Sequence, residues 1–350
     1  MSLINWTLGL FAVLLSLATA APLIHSNQWW IRLFDFPRLQ LAALLVVALT
    51  GYAGLWSWGR LGQIDALVLM LAAVSLVWQC LLIVRYTPAY PTELAEKRGS
   101  GLDSQISLLI SNVLYDNAEV EPLLRLIDQM QPDVVLLVEP TPRWQKDVAR
   151  LERDYPYTIL HAQENEYGIL LYSRLELINP EVRFLIDDAI PSVRTKLRLR
   201  SGDVVSLYGL HPRPPGIKRP DGDGRRDSDQ RDAELLLVAI EIAQRREEPT
   251  IVAGDFNDVA WSHTTRLFQR TSRLLDPRVG RGMYNTYDAD SYVLRYPLDH
   301  VFASDHFRLA EIRRLPHIGS DHFPIYVTLE CDPAGNADQP TPIPKVGDAS

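Results

Sequence analysis

The stretch "IVAGDFNDVAWS", residues 251–262, places Asp255 and Asn257 directly after an apolar run. Burying an unpaired carboxylate costs several kcal/mol, so a strand that ends in one must deliver it to a cleft, a partner or a metal ion. These residue types at this spacing therefore predict a polar site, able to hold a cation or a polar substrate group, at the end of a buried strand.

Polar residues follow apolar runs at five further places. Each one alone has an ordinary explanation, since Gly-Asp before a helix is often an N-cap and "SDH" can be a turn. Six such ends in one domain instead indicate strands that converge on a common polar site. The five further places are Asn112 in "LLISNVLYDN", Glu139 in "VVLLVEP", His211 in "VVSLYGLHPRPP", Asp299 in "YPLDHVFAS", and Asp321 with His322 in "HIGSDHFPIYVTL".

The elements that must position these residues alternate between strand and helix within residues 102–331. Short apolar, β-rich runs predict strands, and apolar residues at helical spacing predict helices. This alternation predicts an α/β domain in which sheet is flanked by helices. The strand candidates are 106–113, 134–138, 168–172, 195–200, 204–210, 250–253 and 324–329, and the helix candidates are 119–130, 141–153 and 230–246.

The N-terminal residues have a different composition, because no Asp, Glu, Lys or Arg precedes Arg32. Each of three charge-free stretches supplies the roughly 20 apolar residues that a helix needs to cross a bilayer. "SLATAAP" resembles a signal-peptidase site, but no Lys or Arg precedes it. Three such stretches in succession also argue against buried core helices. We predict a membrane domain over 1–85 with three transmembrane helices. The stretches are 1–31, 39–59 and 66–84.

Residues 86–101, "YTPAYPTELAEKRGSG", have the composition of a linker, and 332–350, rich in Pro, Asp, Gly and Ala, is predicted to be a disordered tail. The expected location is a bacterial inner or plasma membrane. More basic residues lie on the side that residues 102–331 share with the first inter-helix loop, which favours a cytoplasmic location for this domain. The tally rests on few residues, so the orientation stays open.

The ordered motifs resemble those of the endonuclease/exonuclease/phosphatase superfamily, which has the deoxyribonuclease-I-like fold. The match covers about residues 105–330, and "GDFN" and "SDHFP" are its most specific parts. The resemblance implies a sandwich of two β-sheets flanked by helices, with the active site at one end. The matching residues are Asn112, Glu139, His211, Gly254-Asp255-Phe256-Asn257, Leu298-Asp299-His300 and Gly319-Ser320-Asp321-His322.

The same resemblance implies a metal site and a water-activating group. Glu139 matches the carboxylate that holds a metal ion, with Asn112 and Asp321 beside it. Such a site suits Mg²⁺ or Mn²⁺, because a hard divalent cation prefers oxygen ligands and keeps several waters. Asp255 would orient or deprotonate the attacking water, and the amide of Asn257 would hold a phosphoryl oxygen.

Two histidines and an aspartate complete the implied catalytic set. His322 would bind the scissile phosphate and stabilise charge in the transition state. Asp299 matches the acid that pairs with this histidine and fixes its tautomer. His211 would contact the phosphate or act as a second proton donor. Together with the metal, these groups offer in-line attack at phosphorus with positioned proton transfer.

Two observations weigh against long nucleic acid as the substrate. Residues 101–350 hold 29 Lys and Arg against 39 Asp and Glu, whereas non-specific nucleic-acid affinity comes mainly from cationic side chains. Some nucleases of the superfamily carry an acid two residues after the first asparagine, where this chain has Leu114. This departure also weakens the prediction of metal ligation.

The segment after His211 is long, polar and rich in proline and glycine. It is either a substrate-contacting loop or a solvated surface loop. In the first case Arg213, Lys218 and Arg219 could bind a second phosphate or an anionic head group. Arg231, at the start of the next helix, is expected to anchor the loop.

The sequence thus predicts a membrane-anchored, divalent-metal-dependent phosphoester hydrolase, with a lipid-linked or head-group phosphate among the candidate substrates and membrane lipids as its surroundings. Two alternatives remain. One is a nuclease that uses the same site. The other is a catalytically silent membrane interaction module, although Glu139, Asp255, Asn257 and His322 are all present. The sequence leaves the ester type and the oligomeric state open.

Overall fold

The computed structural model describes residues 3–57, 62–99, 101–216, 228–333 and 339. Three of its N-terminal helices, each with any adjoining 3-10 turn, are long and apolar enough to cross a membrane, as the sequence predicted: Leu3–Ile24, Arg38–Trp56 and Gln63–Tyr86. The first helix ends before its charge-free stretch does, because Pro22 lies in a 3-10 turn and His25 takes a left-handed φ of 51°. The four N-terminal α-helices are α1 (Leu3–Ala20), α2 (Trp29–Arg32), α3 (Arg38–Ser57) and α4 (Gln63–Ile83).

The N-terminal helices differ from a soluble bundle because many of their large apolar side chains lie on the outside. Small and aromatic residues such as Ala12, Ala72 and Tyr52 fill the contact between α1, α3 and α4. Large apolar residues such as Leu10 and Leu67 point outward and are more than half exposed. An apolar exterior of this extent is unusual for a soluble surface and matches a lipid environment.

The globular part contains two β-sheets. The six-stranded sheet has the order β10-β11-β1-β2-β4-β3 and the five-stranded sheet the order β5-β6-β7-β8-β9. The bounds are β1 (Gln105–Asn112), β2 (Val134–Val138), β3 (Tyr157–His161), β4 (Ile169–Ser173), β5 (Leu177–Arg183), β6 (Ser192–Arg198), β7 (Val204–Leu210), β8 (Thr250–Asp255), β9 (Asp299–Ala303), β10 (Phe307–Arg314) and β11 (Ile325–Cys331).

Each sheet has one parallel pair, with antiparallel strands on either side. β1 pairs in parallel with β2, and the crossover between them contains helix α5 (Glu121–Met130). β7 pairs in parallel with β8 through helix α7 (Asp229–Ala243). Parallel strands need such crossovers, and their C-terminal ends lie at the same edge of a sheet. This topology brings the ends of β1, β2, β7 and β8 to one end of the sandwich.

The core follows the two-residue period of the strands. Leu108 and Ile110 of β1 pack between the two sheets with Leu207 and Ile251 of the five-stranded sheet. Leu109, between them in sequence, faces the other way and packs beneath α5. The fold is therefore the predicted α/β sandwich of two sheets flanked by helices.

Several elements were absent from the sequence prediction. β3, β5, β9, β10 and helix α8 (His263–Ser272) were missed, because their polar residues hide the apolar pattern: α8 reads "HTTRLFQRTS" and β5 "LINPEVR". The single helix predicted over 141–153 is helix α6 (Pro142–Asp147) followed by a 3-10 turn, Ala149–Arg153.

The segment predicted as a linker, 86–101, is held along the globular part over its described residues. Glu93 accepts hydrogen bonds from the Gln269 side chain and from the backbone N–H of Asp276. Further along, the backbone N–H of Lys97 donates to the Leu309 carbonyl. The predicted disordered tail, 332–350, lies outside the described residues except at 332, 333 and 339.

The N-terminal helices meet the sandwich at the end where β8 finishes. Arg32, in the loop between α1 and α3, donates to the Asp258 carboxylate at 2.9 Å. The indole N–H of Trp261 donates to the Asp35 carbonyl. The catalytic-domain loop that follows β8 is therefore in direct contact with the segment between the first two long helices.

Candidate active site

The "GDFN" segment turns the chain sharply at the end of β8. Gly254 has φ 140°, and a Cβ atom at this position would lie 1.9 Å from the Leu210 carbonyl oxygen, so only glycine allows β7 and β8 to approach here. Asn257 takes a left-handed φ of 52°, and its N–H donates to Asp255 Oδ1 at 2.8 Å. This tight turn fixes the Asp255 carboxylate, which is buried.

The ends of β1 and β2 bring Asn112 and Glu139 to the same place. Asn112 is the last residue of β1, and Glu139 follows β2 with a left-handed φ of 65°. Asn112 Nδ2 donates to Glu139 Oε1 at 2.8 Å and to Asp255 Oδ2 at 3.1 Å. The amide of Asn112 thereby links carboxylates carried by the two sheets.

His322 and Asp299 form a hydrogen-bonded pair on the other side of Asp255. His322 Nδ1 donates to Asp299 Oδ2 at 2.7 Å, and His322 Nε2 lies 3.6 Å from Asp255 Oδ2. The expectation that both residues end strands was wrong: Asp299 begins β9 and His322 precedes β11. Both strands run antiparallel to a neighbour, which puts their starts beside the neighbour's C-terminal end, as the pairing of Asp255 with Asp299 illustrates.

His211 follows β7 and is buried at the same point. Its Nε2 lies 3.7 Å from Glu139 Oε1 and 3.9 Å from Asp255 Oδ2. Among the described residues, neither ring nitrogen has a hydrogen-bond partner. A buried, unpartnered imidazole is uncommon in a structural core, so His211 is available to bind a substrate oxygen.

The charge states of His322 and Asp255 depend on each other. Burial by itself lowers the pKa of His322, but the Asp299 and Asp255 carboxylates outweigh it and raise this pKa to about 10. Burial raises the pKa of Asp255 to about 7, while the charged His322 opposes the shift. His322 is therefore an imidazolium near neutral pH, and Asp255 is poised to exchange a proton there.

Glu139 and His211 shift in the directions expected of buried groups. Burial raises the pKa of Glu139 to about 8, although the hydrogen bond from Asn112 opposes the change. Burial, and to a smaller extent the charged His322, lower the pKa of His211 to about 3. His211 is thus neutral at pH 7 and can donate one N–H hydrogen bond, which fits the predicted phosphate contact better than the predicted proton donor.

Two predicted site residues lie at the margin of this group. The Asn257 side chain donates to the Pro212 carbonyl at 3.0 Å, so it stands beside His211. Asp321 is only partly buried, and burial raises the pKa of its carboxyl. Its charge also contributes to the raised pKa of Glu139, although no hydrogen bond joins their side chains among the described residues.

The donor set fits a hard divalent cation. Glu139, Asp255 and Asp299 bring three carboxylates together against one charged imidazole, and Glu139 keeps a partly exposed side chain toward the cleft. Ligand atoms of Asp255, Asp299 and His322 lie within 4.8 Å of one another. The short His322–Asp299 hydrogen bond already occupies two of these atoms, so Glu139 is the better candidate ligand. Asn112 presents its amide nitrogen to Glu139, and its oxygen accepts from the Leu114 N–H.

Two residues hold the loop after β8: Asp258, which sequence reasoning missed, and Arg231, which it assigned to a different loop. Asp258 accepts from Arg32 and from the Ser262 hydroxyl. Arg231 is buried, lies 3.3 Å from Asp258, and donates to the Asn257 carbonyl at 2.7 Å. Asp258 could have been suspected as a second carboxylate in "GDFND", but its partner Arg32 lies 226 positions away.

Part of the predicted substrate loop can be located. Arg213 forms an ion pair with Asp187 at 3.0 Å, and its guanidinium lies over the Tyr167 ring. Lys218 and Arg219 lie outside the described residues. The contacts described for Arg231 include the loop after β8, at Asn257 and Asp258.

A family model described as "Endonuclease/Exonuclease/phosphatase family" matches residues 109–322 of the chain. No curated protein matches the sequence significantly.

Several solved structures share the fold. The human Nocturnin catalytic domain with bound sulfate has a TM-score of 0.51 and 20% identity, covering 66% of this chain and 96% of that one. An endonuclease/exonuclease/phosphatase from Bacteroides vulgatus has a TM-score of 0.52 and 15% identity, covering 65% and 99%. D. rerio TDP2 complexed with a single-strand DNA product has a TM-score of 0.50 and 17% identity, covering 65% and 99%.

The matched residues run from the middle of β1 to His322, so they include every residue of the cleft described above. The members of this family are hydrolases of phosphoester bonds, and the acids and histidines gathered here suit that chemistry. The chain belongs to the endonuclease/exonuclease/phosphatase family.

Proposed function

We propose that this protein is a membrane-anchored phosphoester hydrolase that depends on a divalent cation, Mg²⁺ or Mn²⁺. The observation that carries the proposal is the joint contact of Asp255 with Asn112 and His322. Through this one carboxylate, a cation-binding side of the cleft (Glu139 and Asn112) is joined to a phosphate-binding side (His322 and Asp299).

The phosphate-binding side rests on His322. Its imidazolium, held by Asp299, lies in a buried setting where a positive charge stabilises a phosphoryl oxygen far better than it would in water. The neutral N–H of His211 and the amide of Asn257 face the same region and would orient the other phosphoryl oxygens. Asp255, with a pKa of about 7, would accept the proton of the attacking water.

Glu139 would hold the cation, with Asp321 and the side-chain oxygen of Asn112 as further candidate ligands. The bound cation would supply neutralisation of the charge that develops on the phosphoryl group. The Asn112 oxygen joins the ligands only if it is freed from the Leu114 N–H.

We propose further that the three apolar helices anchor the enzyme in a bacterial plasma membrane and that its substrate is a lipid-linked or head-group phosphoester. The length and apolar exterior of the helices support the anchoring. The contact of the α1–α3 loop with the loop after β8 supports the substrate class, because the cleft then lies on the membrane-facing end of the domain.

The experiment uses the full-length protein in detergent micelles, because Arg32 and Glu93 bond to residues of the catalytic domain. Hydrolysis of p-nitrophenyl phosphate and bis-p-nitrophenyl phosphate is measured with Mg²⁺, with Mn²⁺ and with a chelator. We expect turnover only with a divalent cation. Asp255→Asn should lower it by at least about 100-fold, because the base for the attacking water is lost.

The matched control is Asp305→Asn, an exposed acid after β9 at the other end of the sandwich, which should keep full turnover. Undiminished activity in the chelator, or in Asp255→Asn, would overturn the proposal.

A nuclease is the second candidate, and the likeness in fold to a TDP2 structure that holds a single-strand DNA product favours it. Adding plasmid, single-stranded DNA and a lipid phosphoester to the substrates separates the two candidates. Faster cleavage of either nucleic acid than of any lipid phosphoester would establish the nuclease.

A further inference from the structure

The hairpin formed by residues 287–296 carries three consecutive exposed apolar side chains at its tip. Tyr292 is 91% exposed, Val293 69% and Leu294 51%. Three large apolar residues in succession on a solvated loop expose surface that water disfavours. We therefore expect an apolar partner to cover the tip.

The hairpin holds this tip in a defined shape. Tyr287 pairs with Tyr296 at its base, and the N–H of Asp288 donates to the Leu294 carbonyl. The Ser291 hydroxyl accepts from the N–H groups of Val293 and Leu294. Because these backbone groups are bonded within the hairpin, the tip can enter an apolar phase without stripping them of partners.

The position of the tip identifies the partner. The Gln40 side chain donates to the Val293 carbonyl, and Gln40 lies in the first turn of α3, the second of the three helices long enough to cross a membrane. Leu39 beside it, and Leu33 and Trp30 in the preceding loop, also expose much of their apolar surface. The tip is thus continuous with the apolar exterior of the helices at one edge of their span.

The base of the same hairpin forms a wall of the active site. The Tyr287 ring lies 5.0 Å from the His322 ring, and the N–H of Ala289 donates to the Asp321 carbonyl at 2.7 Å. Tyr292 lies five positions after Tyr287, so the tip begins at most about 18 Å from this wall.

We propose that the tip of the 287–296 hairpin, Tyr292–Val293–Leu294, inserts into the lipid bilayer and holds the mouth of the active site against the membrane surface. This inference rests on the membrane anchoring and the lipid-linked substrate of the proposed function. The occupant of the apolar tip is lipid, and a substrate phosphate at the bilayer surface reaches His322 without leaving the membrane. Arg295 stacks on Tyr292 and Phe323 and lies where phosphate head groups would meet the hairpin.

Insertion is tested first without any turnover. Full-length protein with Cys80→Ser, which removes the exposed native thiol, and Val293→Cys carries an environment-sensitive fluorophore. It is compared in detergent micelles and in phosphatidylcholine–phosphatidylglycerol nanodiscs, with lipid-borne quenchers. The control, in the same Cys80→Ser background, is Leu102→Cys, 73% exposed before β1 at the opposite end of the sandwich. We expect a blue shift and lipid quenching for Val293→Cys alone. Equal behaviour of the two labels would overturn the insertion.

The second test compares two substrates with the same reactive group. Hexadecyl p-nitrophenyl phosphate in vesicles is membrane-borne, whereas ethyl p-nitrophenyl phosphate is soluble. The triple variant Tyr292→Ser/Val293→Ser/Leu294→Ser should lose about tenfold or more on the vesicle substrate, because three apolar side chains no longer enter lipid. Its rate on the soluble substrate should stay within about twofold, since none of the three residues contacts the reacting groups.

An unchanged ratio of the two rates in the triple variant would overturn the proposal. If the native protein hydrolyses neither substrate, the proposed function fails, and the fluorescence measurement by itself decides whether the tip inserts.

Discussion

Two clusters of buried charged side chains meet at the loop after β8, where Asp255 belongs to one and Asp258 to the other. They differ in the basic residues that face their carboxylates. The cleft cluster consists of Glu139, Asp255, Asp299, His211 and His322. Among the described residues, histidines are the only basic side chains within 4.0 Å of its carboxylates, and of these His322 alone is charged near neutral pH.

The junction cluster consists of Arg32, Asp35, Arg38, Asp258 and Arg231, and it joins the N-terminal helices to the loop after β8. Here each aspartate faces arginines. Arg32 and Arg231 lie 2.9 and 3.3 Å from Asp258, and Arg38 lies 2.7 Å from Asp35.

The cationic partner distinguishes the functional site from the structural contact, since both clusters contain aspartates at similar burial. Carboxylates that outnumber the cations beside them attract a further cation or a proton. Glu139 and Asp255 are of this kind, and the pKa of each is raised. Carboxylates opposite arginines hold segments together, and loss of one partner leaves a buried charge alone. Asn257 lies between the two clusters: its N–H binds Asp255 and its carbonyl binds Arg231.

The largest effect is expected from the cleft. His322→Ala removes the imidazolium that would bind the phosphoryl group, so kcat should fall by about 10²–10⁴-fold. The free energy of unfolding should change little in the presence of metal, because the acids that His322 balances gain a cation. Turnover of bis-p-nitrophenyl phosphate and thermal unfolding of the full-length protein measure the two quantities.

The control for this variant is His306→Ala, another buried histidine, which follows β9 at the far end of the sandwich and bonds to Ser304. It should keep turnover while losing some stability. Equal kcat values for the two variants would remove the distinction between the cleft and ordinary buried histidines.

The next effect is expected from the junction. Arg32→Met leaves the Asp258 carboxylate with one arginine fewer in a buried setting, which should lower the free energy of unfolding by about 3–5 kcal/mol. Because the same loop carries Asn257, turnover should also fall, but far less than in His322→Ala. Thermal unfolding in detergent micelles and turnover of the same substrate give both numbers.

Arg150→Met is the matched control, since Arg150 forms an exposed pair with Glu121 at 3.3 Å that should be worth at most about 1 kcal/mol. If Arg32→Met unfolds at the same temperature as Arg150→Met, the junction is not a structural joint.

Much of the cleft could be predicted because its residues lie at the ends of strongly apolar runs. Asn112, Glu139, His211 and Asp255 end strands or follow them directly, and parallel pairing alone brings these ends together. The side of Asp299 and His322 required knowledge of which strands run antiparallel. The sequence does not show whether an apolar run pairs parallel or antiparallel with its neighbours. The prediction that Asp299 and His322 end strands was therefore wrong.

The junction could not be predicted, because the pair that joins the N-terminal helices to the loop after β8, Arg32 with Asp258, is 226 positions apart. Arg32 is an ordinary loop arginine in the sequence, and only the folded chain brings it to Asp258. The exposed hairpin tip was also overlooked, since Tyr292, Val293 and Leu294 resemble a short strand until their surroundings are known. Contacts between distant segments carry no local pattern, so the contact of the N-terminal helices with the loop after β8 could be found only in the structure.

The smallest effect concerns an acid outside both clusters. Glu234 of α7 is buried, and its Oε1 has no hydrogen-bond partner among the described residues. Burial, and to a smaller extent the charge of Asp187, raise its pKa to about 8, while Arg183 opposes the shift. Like the cleft acids it is uncompensated, so it tests whether an uncompensated acid is always part of the reaction.

Glu234→Gln should keep its turnover and change only the pH dependence of stability. Between about pH 4.5 and 8 the folded chain holds a proton on Glu234 that the unfolded chain releases, so the free energy of unfolding of the native protein falls as pH rises. Glutamine does not titrate. At pH 5 the two proteins should unfold at similar temperatures, whereas at pH 8 the variant should be more stable by at least about 1 kcal/mol. A loss of turnover in Glu234→Gln would extend the cleft to α7, and parallel stability curves from pH 5 to 8 would mean that Glu234 is paired after all.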